Sequence, residues 1–170
     1  MTTQEINDCL DYITYGLYLV TCADGEKPNG LIVNTVFQVT ADPARMAISV
    51  NKKSLTHDYI MKRKVFAAMP LDQRTPMTFI GTFGFRTGRN YDKFASVQYR
   101  PGSLGMPIVL DHTLSYMEVE VEEIVDVGTH TLFVGQVRDA GVLKENAEPL
   151  TYEYYHKVIK GKTPEGATHR

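Results

Sequence analysis

Six residues able to hold an anion crowd into positions 51–57: Asn51, Lys52, Lys53, Ser54, Thr56 and His57. Ser54 is placed to cap a short helix over SLTHDYIMKRK, and a helix start offers unpaired backbone N–H groups and a favourable field to a phosphate. The same residues would equally make a solvated strand-to-helix connection with ordinary lysines. A second group, Asn29, Asn34, Thr35 and Gln38, sets amides and a hydroxyl in and just before an apolar run. Buried, these would need partners such as the edge of a heteroaromatic ring; otherwise they face solvent on the wet side of a strand. A third group is Gly84-Phe85-Arg86-Thr87-Gly88-Arg89 with Tyr91-Asp92-Lys93-Phe94. Its glycines allow close backbone approach, Arg86 and Lys93 can pair with a phosphate, and Phe85 or Phe94 can cover a flat ring. Asp92 could instead neutralise one of these cations locally. His130 opens a strand after Gly128-Thr129, where a lone histidine is either structural or set beside a reacting group.

Other chemistries lack their residues. No GxSxG arrangement supplies a hydrolase nucleophile, and neither GxGxxG nor GxxxxGK[ST] supplies a Rossmann or P-loop nucleotide site. His57, His112, His130, His156 and His169 are scattered without metal-ligand spacing. Cys9 and Cys22 stand thirteen positions apart with no CxxC, so two free thiols and no metal site are expected.

The elements that must position these residues are mainly strands. Ile6, Leu10 and Ile13 recur at helical spacing before Gly16 and predict a short amphipathic helix. LYLVTCA, LIVNTVFQVT and MAISVN predict three strands of an antiparallel meander, with turns at ADGEKPNG and ADPAR. KVFAAMPL is a fourth apolar run, and Thr75-Pro76 reads as a helix cap with proline at the first helical position. From Tyr116 to Val125, Met117, Val119 and Val121 alternate with Glu118, Glu120 and Glu122, predicting one buried and one wet face. HTLFVGQVRDAGVLK predicts the last long strand, with Gly135 at a bulge or close backbone approach. The end, EPLTYEYYHKVIKGKTPEGATHR, starts as a helix and becomes a loose polar tail over about 158–170. Strands at this spacing with short helical insertions suggest a closed or partly closed barrel.

The 170 residues suit a single domain, 43% hydrophobic, with no run long enough to span a membrane and no secretory signal at the N-terminus. A cytoplasmic setting is the expectation. A net charge of −2 with acids and bases intermixed argues against nucleic acid as a partner.

The segments YGLYLVT, NGLIVNTVFQVT, SVNKKSLTHDYI, FIGTFGFRTGR, DKF, GMPIVLD, VGTHTLFVGQV and TYEYYHKVIKGK, in this order, resemble the flavin reductase family. The resemblance is to the flavoredoxin and rubredoxin-linked branch, and it covers nearly the whole chain. It implies a mainly β chain with short helices, a six-stranded Greek-key FMN-binding split barrel, and a homodimer with one non-covalent FMN per subunit near the interface. Asn34, Thr35 and Val36 would line the isoalloxazine ring, while Asn51, Lys52, Ser54, Thr56 and His57 would hold the ribityl and phosphate groups. Phe85, Arg86, Lys93 and Phe94 would form a second wall, and His130, as the candidate catalytic residue, would lie where the nicotinamide stacks. Longer members carry a CxxC-containing rubredoxin domain after the segment that reads KGK here, and no such cysteines follow it in this sequence. An acceptor such as rubredoxin would then be a separate protein.

The implied activity is hydride transfer from NADH or NADPH to FMN, with the electrons passed onward. An FMN-binding electron carrier reduced by a protein partner is the alternative, and a barrel using flavin only as a diffusible substrate is a third reading.

Overall fold

A computed structural model describes residues 1–168, which leaves His169 and Arg170 of the tail outside the described residues. The helices are α1 (Thr3–Leu10), α2 (Leu55–Arg63), α3 (Met77–Phe85) and α4 (Tyr152–Lys157). The strands are β1 (Tyr18–Asp24), β2 (Lys27–Val33), β3 (Val36–Ala41), β4 (Ala44–Asn51), β5 (Val65–Pro70), β6 (Tyr99–Pro101), β7 (Pro107–Val109), β8 (Ser115–Asp126) and β9 (His130–Val142).

Seven strands form one antiparallel sheet in the order β2-β1-β5-β8-β9-β4-β3, and β6 with β7 makes a two-stranded ribbon. The run LIVNTVFQVT is therefore not one strand. It breaks at Asn34-Thr35 into β2 and β3, which raises the main sheet from the six strands expected to seven and interrupts the meander. β2 and β3 occupy opposite edges of the strand order, yet the chain passes from Val33 to Val36 in three Cα steps. Such a link reaches at most about 11 Å, so the sheet must be rolled until its two edges lie side by side. They do not pair, and the barrel is split at Asn34.

The rolled sheet closes on Leu19, Ile48, Phe66, Met69 and Phe133, none of which is exposed. Burying side chains of this size contributes about 1.5–3 kcal/mol each. The alternation in β8 holds only in part. Glu118, expected on the wet face, is fully buried, because the loop before β7 folds over it. Its carboxylate accepts from the backbone N–H of Leu104 at 3.0 Å and Met106 at 3.1 Å and from Ser103 Oγ at 3.0 Å. The register slips immediately after it, which puts Val119 inside as well. Gly135 lies where the β8 backbone crowds β9: a Cβ there would stand 2.2 Å from the Glu120 carbonyl oxygen.

Two helix readings are corrected. α1 ends at Leu10, with Asp11 as its C-cap, and Ile6, Leu10 and Ile13 are all exposed. Pro76 is the N-cap of α3 rather than its first residue, and the Thr75 hydroxyl donates to the Asp72 carbonyl at 2.5 Å instead of capping the helix. α2 forms as read, with Ser54 at its N-cap accepting from His57 N–H at 3.0 Å.

Candidate functional site

A cavity of about 870 Å³ opens where the barrel is split. β2 gives it Asn29, Leu31 and Ile32, and the break after β2 gives it Asn34; α3 gives it Ile80, Phe83 and Phe85; the segment before α2 gives it Asn51 to Ser54. β4 and β9 pair so that Asn51 faces His130 across the ladder, which sets the anion-binding segment beside the histidine. Its lining mixes apolar residues such as Leu31, Ile80 and Phe83 with polar ones such as Asn29, Asn34 and Lys93, a composition that suits a flat ring with a polar tail.

Two groups in this cavity have unfilled bonding capacity. Asn34 is 6% exposed; its Oδ1 accepts from Thr35 Oγ1 at 3.0 Å, and its buried Nδ2 has no partner. Lys93 is 4% exposed, and its Nζ donates to the Gly30 carbonyl at 2.8 Å and the Phe83 carbonyl at 3.1 Å. An ammonium has three N–H bonds, so one is left for the cavity. Among the described residues no carboxylate pairs with it. Burial without a counter-charge pulls its pKa down to about 8. A buried amide donor and a buried cation facing one cavity fit a ligand that is both heteroaromatic and anionic.

The segment before α2 is more fully satisfied. Lys52 Nζ pairs with Asp126 at 2.5 Å, and Thr56 Oγ1 accepts from Asn29 Nδ2 at 3.0 Å. Asn51 donates to the Gly166 carbonyl at 2.8 Å and accepts from Lys53 N–H at 2.9 Å. The first-turn N–H groups of Leu55 and Thr56, which no helix carbonyl can reach, are donors this segment still offers, together with the Lys53 ammonium and the Ser54 hydroxyl proton.

A profile described as the flavin reductase like domain matches residues 10–160. The chain belongs to the flavin reductase like family. It is 47% identical over 156 residues to the ferric-chelate reductase (NAD(P)H) of Archaeoglobus fulgidus, covering 92% of each protein. It is 46% identical over 158 residues to the high molecular weight rubredoxin of Moorella thermoacetica, covering 93% of this chain and 69% of that protein. Among solved structures, an NADH:FAD oxidoreductase of Streptomyces globisporus superposes with a TM-score of 0.77 at 21% identity, covering 87% of this chain and 86% of that one. That likeness establishes the split-barrel fold. As a flavin reductase family member, the chain is a flavin-dependent oxidoreductase.

Within this flavin reductase like domain the residues singled out from sequence divide. Asn34, Asn51, Lys52, Ser54, Thr56, Phe85, Arg86, Lys93 and His130 all line the cavity. Thr35, Val36, His57 and Phe94 do not. Val36 is core, and Phe94 stacks edge-on with Phe83 and Tyr99 behind the wall. His57 is buried against Phe133, its Nε2 within 2.8 Å of Thr131 Oγ1 and its Nδ1 without a hydrogen bond. Gln38 is exposed and donates to the Thr40 carbonyl, the solvent-facing outcome. Arg86 lies 4.3 Å over the Tyr91 ring at the rim. His130 is 8% exposed; burial holds its pKa below the ordinary histidine value, and a backbone hydrogen bond with Gly166 opposes that shift.

Sequence reasoning missed the far end of the chain. The tail read as loose folds back on the barrel, and Lys162 to Thr168 line the cavity together with Tyr152 and Tyr155. The aromatic cluster TYEYYH was the available signal. Among the described residues no group of three His, Cys, Asp or Glu side chains could hold a metal. Cys22 is buried, its thiol pushed up to about 12 by desolvation, and Cys9 is exposed. No helix among the described residues is long and apolar enough to cross a membrane.

Proposed function

We propose that this domain binds FMN in the cavity at the barrel split, reduces it with NADH or NADPH, and passes the electrons to an external acceptor. The observation that carries the reading is the coincidence of Lys93, a buried cation without a carboxylate, with the unpartnered Asn34 amide in one cavity. The flavin, when bound, accepts hydride at its central ring and can release electrons singly or in pairs.

The chain's own residues bind, orient and exclude water. Thr35 fixes the Asn34 amide by donating to its Oδ1, which aims Nδ2 at the edge of the ring. Lys93 and the start of α2 meet the phosphate. Ile32, Ile80 and Phe83 supply the apolar surface against which a ring lies, and Phe85 closes the outer edge. His130, neutral by burial, lies beside the nicotinamide position and orients it; hydride transfer itself needs no protein proton donor.

Several finer points belong to the same proposal. FMN is the flavin proposed because one buried cation without a carboxylate, Lys93, suits a single terminal phosphate. A homodimer is supported by the exposed Phe37 and Val39 on the edge strand β3 and by the exposed apolar side of α1. A cytoplasmic rubredoxin is a candidate acceptor, since the Moorella relative carries rubredoxin in its name, and a ferric chelate is another, after the Archaeoglobus relative. Anaerobic titration of the FMN-loaded protein with NADH and with NADPH tests the reading. Bleaching of the flavin absorbance at one equivalent is the expected result. Bleaching only by a reduced protein partner would make the chain an electron carrier, and failure to retain FMN over FAD would overturn the cofactor assignment.

A further inference from the structure

We propose that Lys160–Thr168 is a retaining strap that controls flavin entry and escape and makes the flavin a resident group rather than a passing substrate. This rests on the cavity being the flavin site.

The segment has the pattern of a strap laid on a surface. Gly161, Thr163, Pro164, Gly166 and Ala167 are half-buried and Lys160, Lys162, Glu165 and Thr168 exposed, and Lys162 to Thr168 all border the cavity. The small residues are the more buried ones and the mostly charged ones the more exposed. The strap has almost no regular structure, so what holds it down is a set of discrete anchors. Tyr155 Oη donates to the Lys162 carbonyl at 2.9 Å, and Tyr152 Oη lies 2.8 Å from Thr163 Oγ1. Further along, Asn51 Nδ2 donates to the Gly166 carbonyl at 2.8 Å, and His130 is hydrogen-bonded to the same residue. The anchors come from α4, β4 and β9, so the strap bridges elements far apart in sequence across the cavity mouth.

Both ends depend on the absence of a side chain. The chain reverses at Lys160, which has φ of 61°, and Gly161 then passes so close to Tyr155 that a Cβ would stand 2.1 Å from a ring atom. At the far end Gly166 has φ of +83°, and a Cβ there would stand 2.7 Å from Asn51 Nδ2. A side chain at either glycine would lift the strap. Every anchor is a single neutral hydrogen bond to a segment that is itself half-buried or exposed, the class that opens and recloses without unfolding the barrel behind it.

A strap that gates the site differs in kinetics from one that merely adds a contact. A lost contact raises the rate of escape alone. A lifted gate raises escape and entry together, because both directions cross the same barrier.

The test is stopped-flow flavin fluorescence with FMN on the full chain, in wild type, Gly166→Ala and Tyr155→Phe. The expected result for Gly166→Ala is an escape rate raised tenfold or more with an entry rate raised several-fold. Tyr155→Phe, which removes one anchor and keeps the ring, should shift both rates in the same direction by less, and it keeps the test open if Gly166→Ala folds poorly. Unchanged rates in both variants would overturn the proposal, and so would faster escape with unchanged or slower entry, which would make the segment a contact wall. Failure of the wild type to bind FMN at all would instead defeat the flavin reading of the cavity.

Discussion

The two walls of the cavity answer an anion in opposite ways. The segment Asn51 to His57 is dense in polar groups, but several are already engaged within the protein: the Lys52 ammonium on Asp126, the Asn51 amide on the Gly166 carbonyl, and the Thr56 and Ser54 hydroxyl oxygens as acceptors from Asn29 and from the His57 N–H. The opposite wall is sparse, yet Lys93 is buried with only carbonyls as partners. Density of donors in sequence is thus a poor guide to their availability. A charge that has lost its water and gained no counter-ion is the better one, because its desolvation cost is offset only when a ligand arrives.

The largest expected effect breaks the sparse wall. Lys93→Met removes a charge-assisted bond worth about 1.5–3 kcal/mol, so FMN should weaken by roughly 10- to 150-fold while riboflavin, which lacks the phosphate, changes much less. Fluorescence titration with both flavins measures this. An equal loss for the two would move the phosphate to the other wall.

The same lysine makes the comparison pH-dependent. Its pKa in the free protein is about 8, and a bound phosphate favours the ammonium, so wild-type FMN affinity should fall on raising the pH through 8 and beyond. The phosphate itself is already doubly charged there. Folding stability has the reverse sign. The unfolded chain holds this proton up to the ordinary lysine value of 10.5, so the free protein should gain stability between about pH 8 and 10.5, and Lys93→Met should lose that slope. Titrations and denaturant melts across this range check both signs.

His130→Ala, which also removes one strap anchor, should speed FMN exchange modestly while the flavin still binds, and should slow its reduction by NAD(P)H, read as the single-turnover rate of bleaching. A normal rate of reduction in the bound fraction would remove the histidine from the nicotinamide position and leave it only its part in holding flavin.

On the dense wall the effects shrink. Ser54→Ala should cost about 1 kcal/mol of stability through the lost cap, seen in denaturant melts, with only a modest loss of FMN because the backbone donors at the start of α2 remain. Lys52→Ala should be smaller still, since its partner Asp126 is exposed and already shares the ammonium. A Lys52 variant that matched Lys93→Met would invert the ranking of the two walls.

Much of this was legible in the chain. Ser54 as an N-cap, the strand runs of β4, β5 and β9, and the crowding at Gly135 all follow from local rules of capping, alternation and close approach, which act within a few residues. Glu118 was not legible. Its alternation with Val119 gave it to solvent, and only the loop carrying Leu104 and Met106 decided that a carboxylate could be buried there. The fate of the tail was hidden for the same reason: a polar stretch with glycines reads as loose until Tyr155, Asn51 and His130 are brought beneath it.

By itself the sequence determined the mainly β architecture, the α2 cap, the flavin reductase family and most of the residues that border the cavity, because each is carried by local pattern or by motifs in series. Only the tertiary structure decided which of those residues keep a free bond for a ligand. The break at Asn34-Thr35, the meeting of Asn51 with His130, the stranded charge of Lys93 and the return of Lys160–Thr168 all depend on rolling a sheet until its edges meet. Burial and partnership are properties of that closed arrangement, and no short stretch of chain contains them.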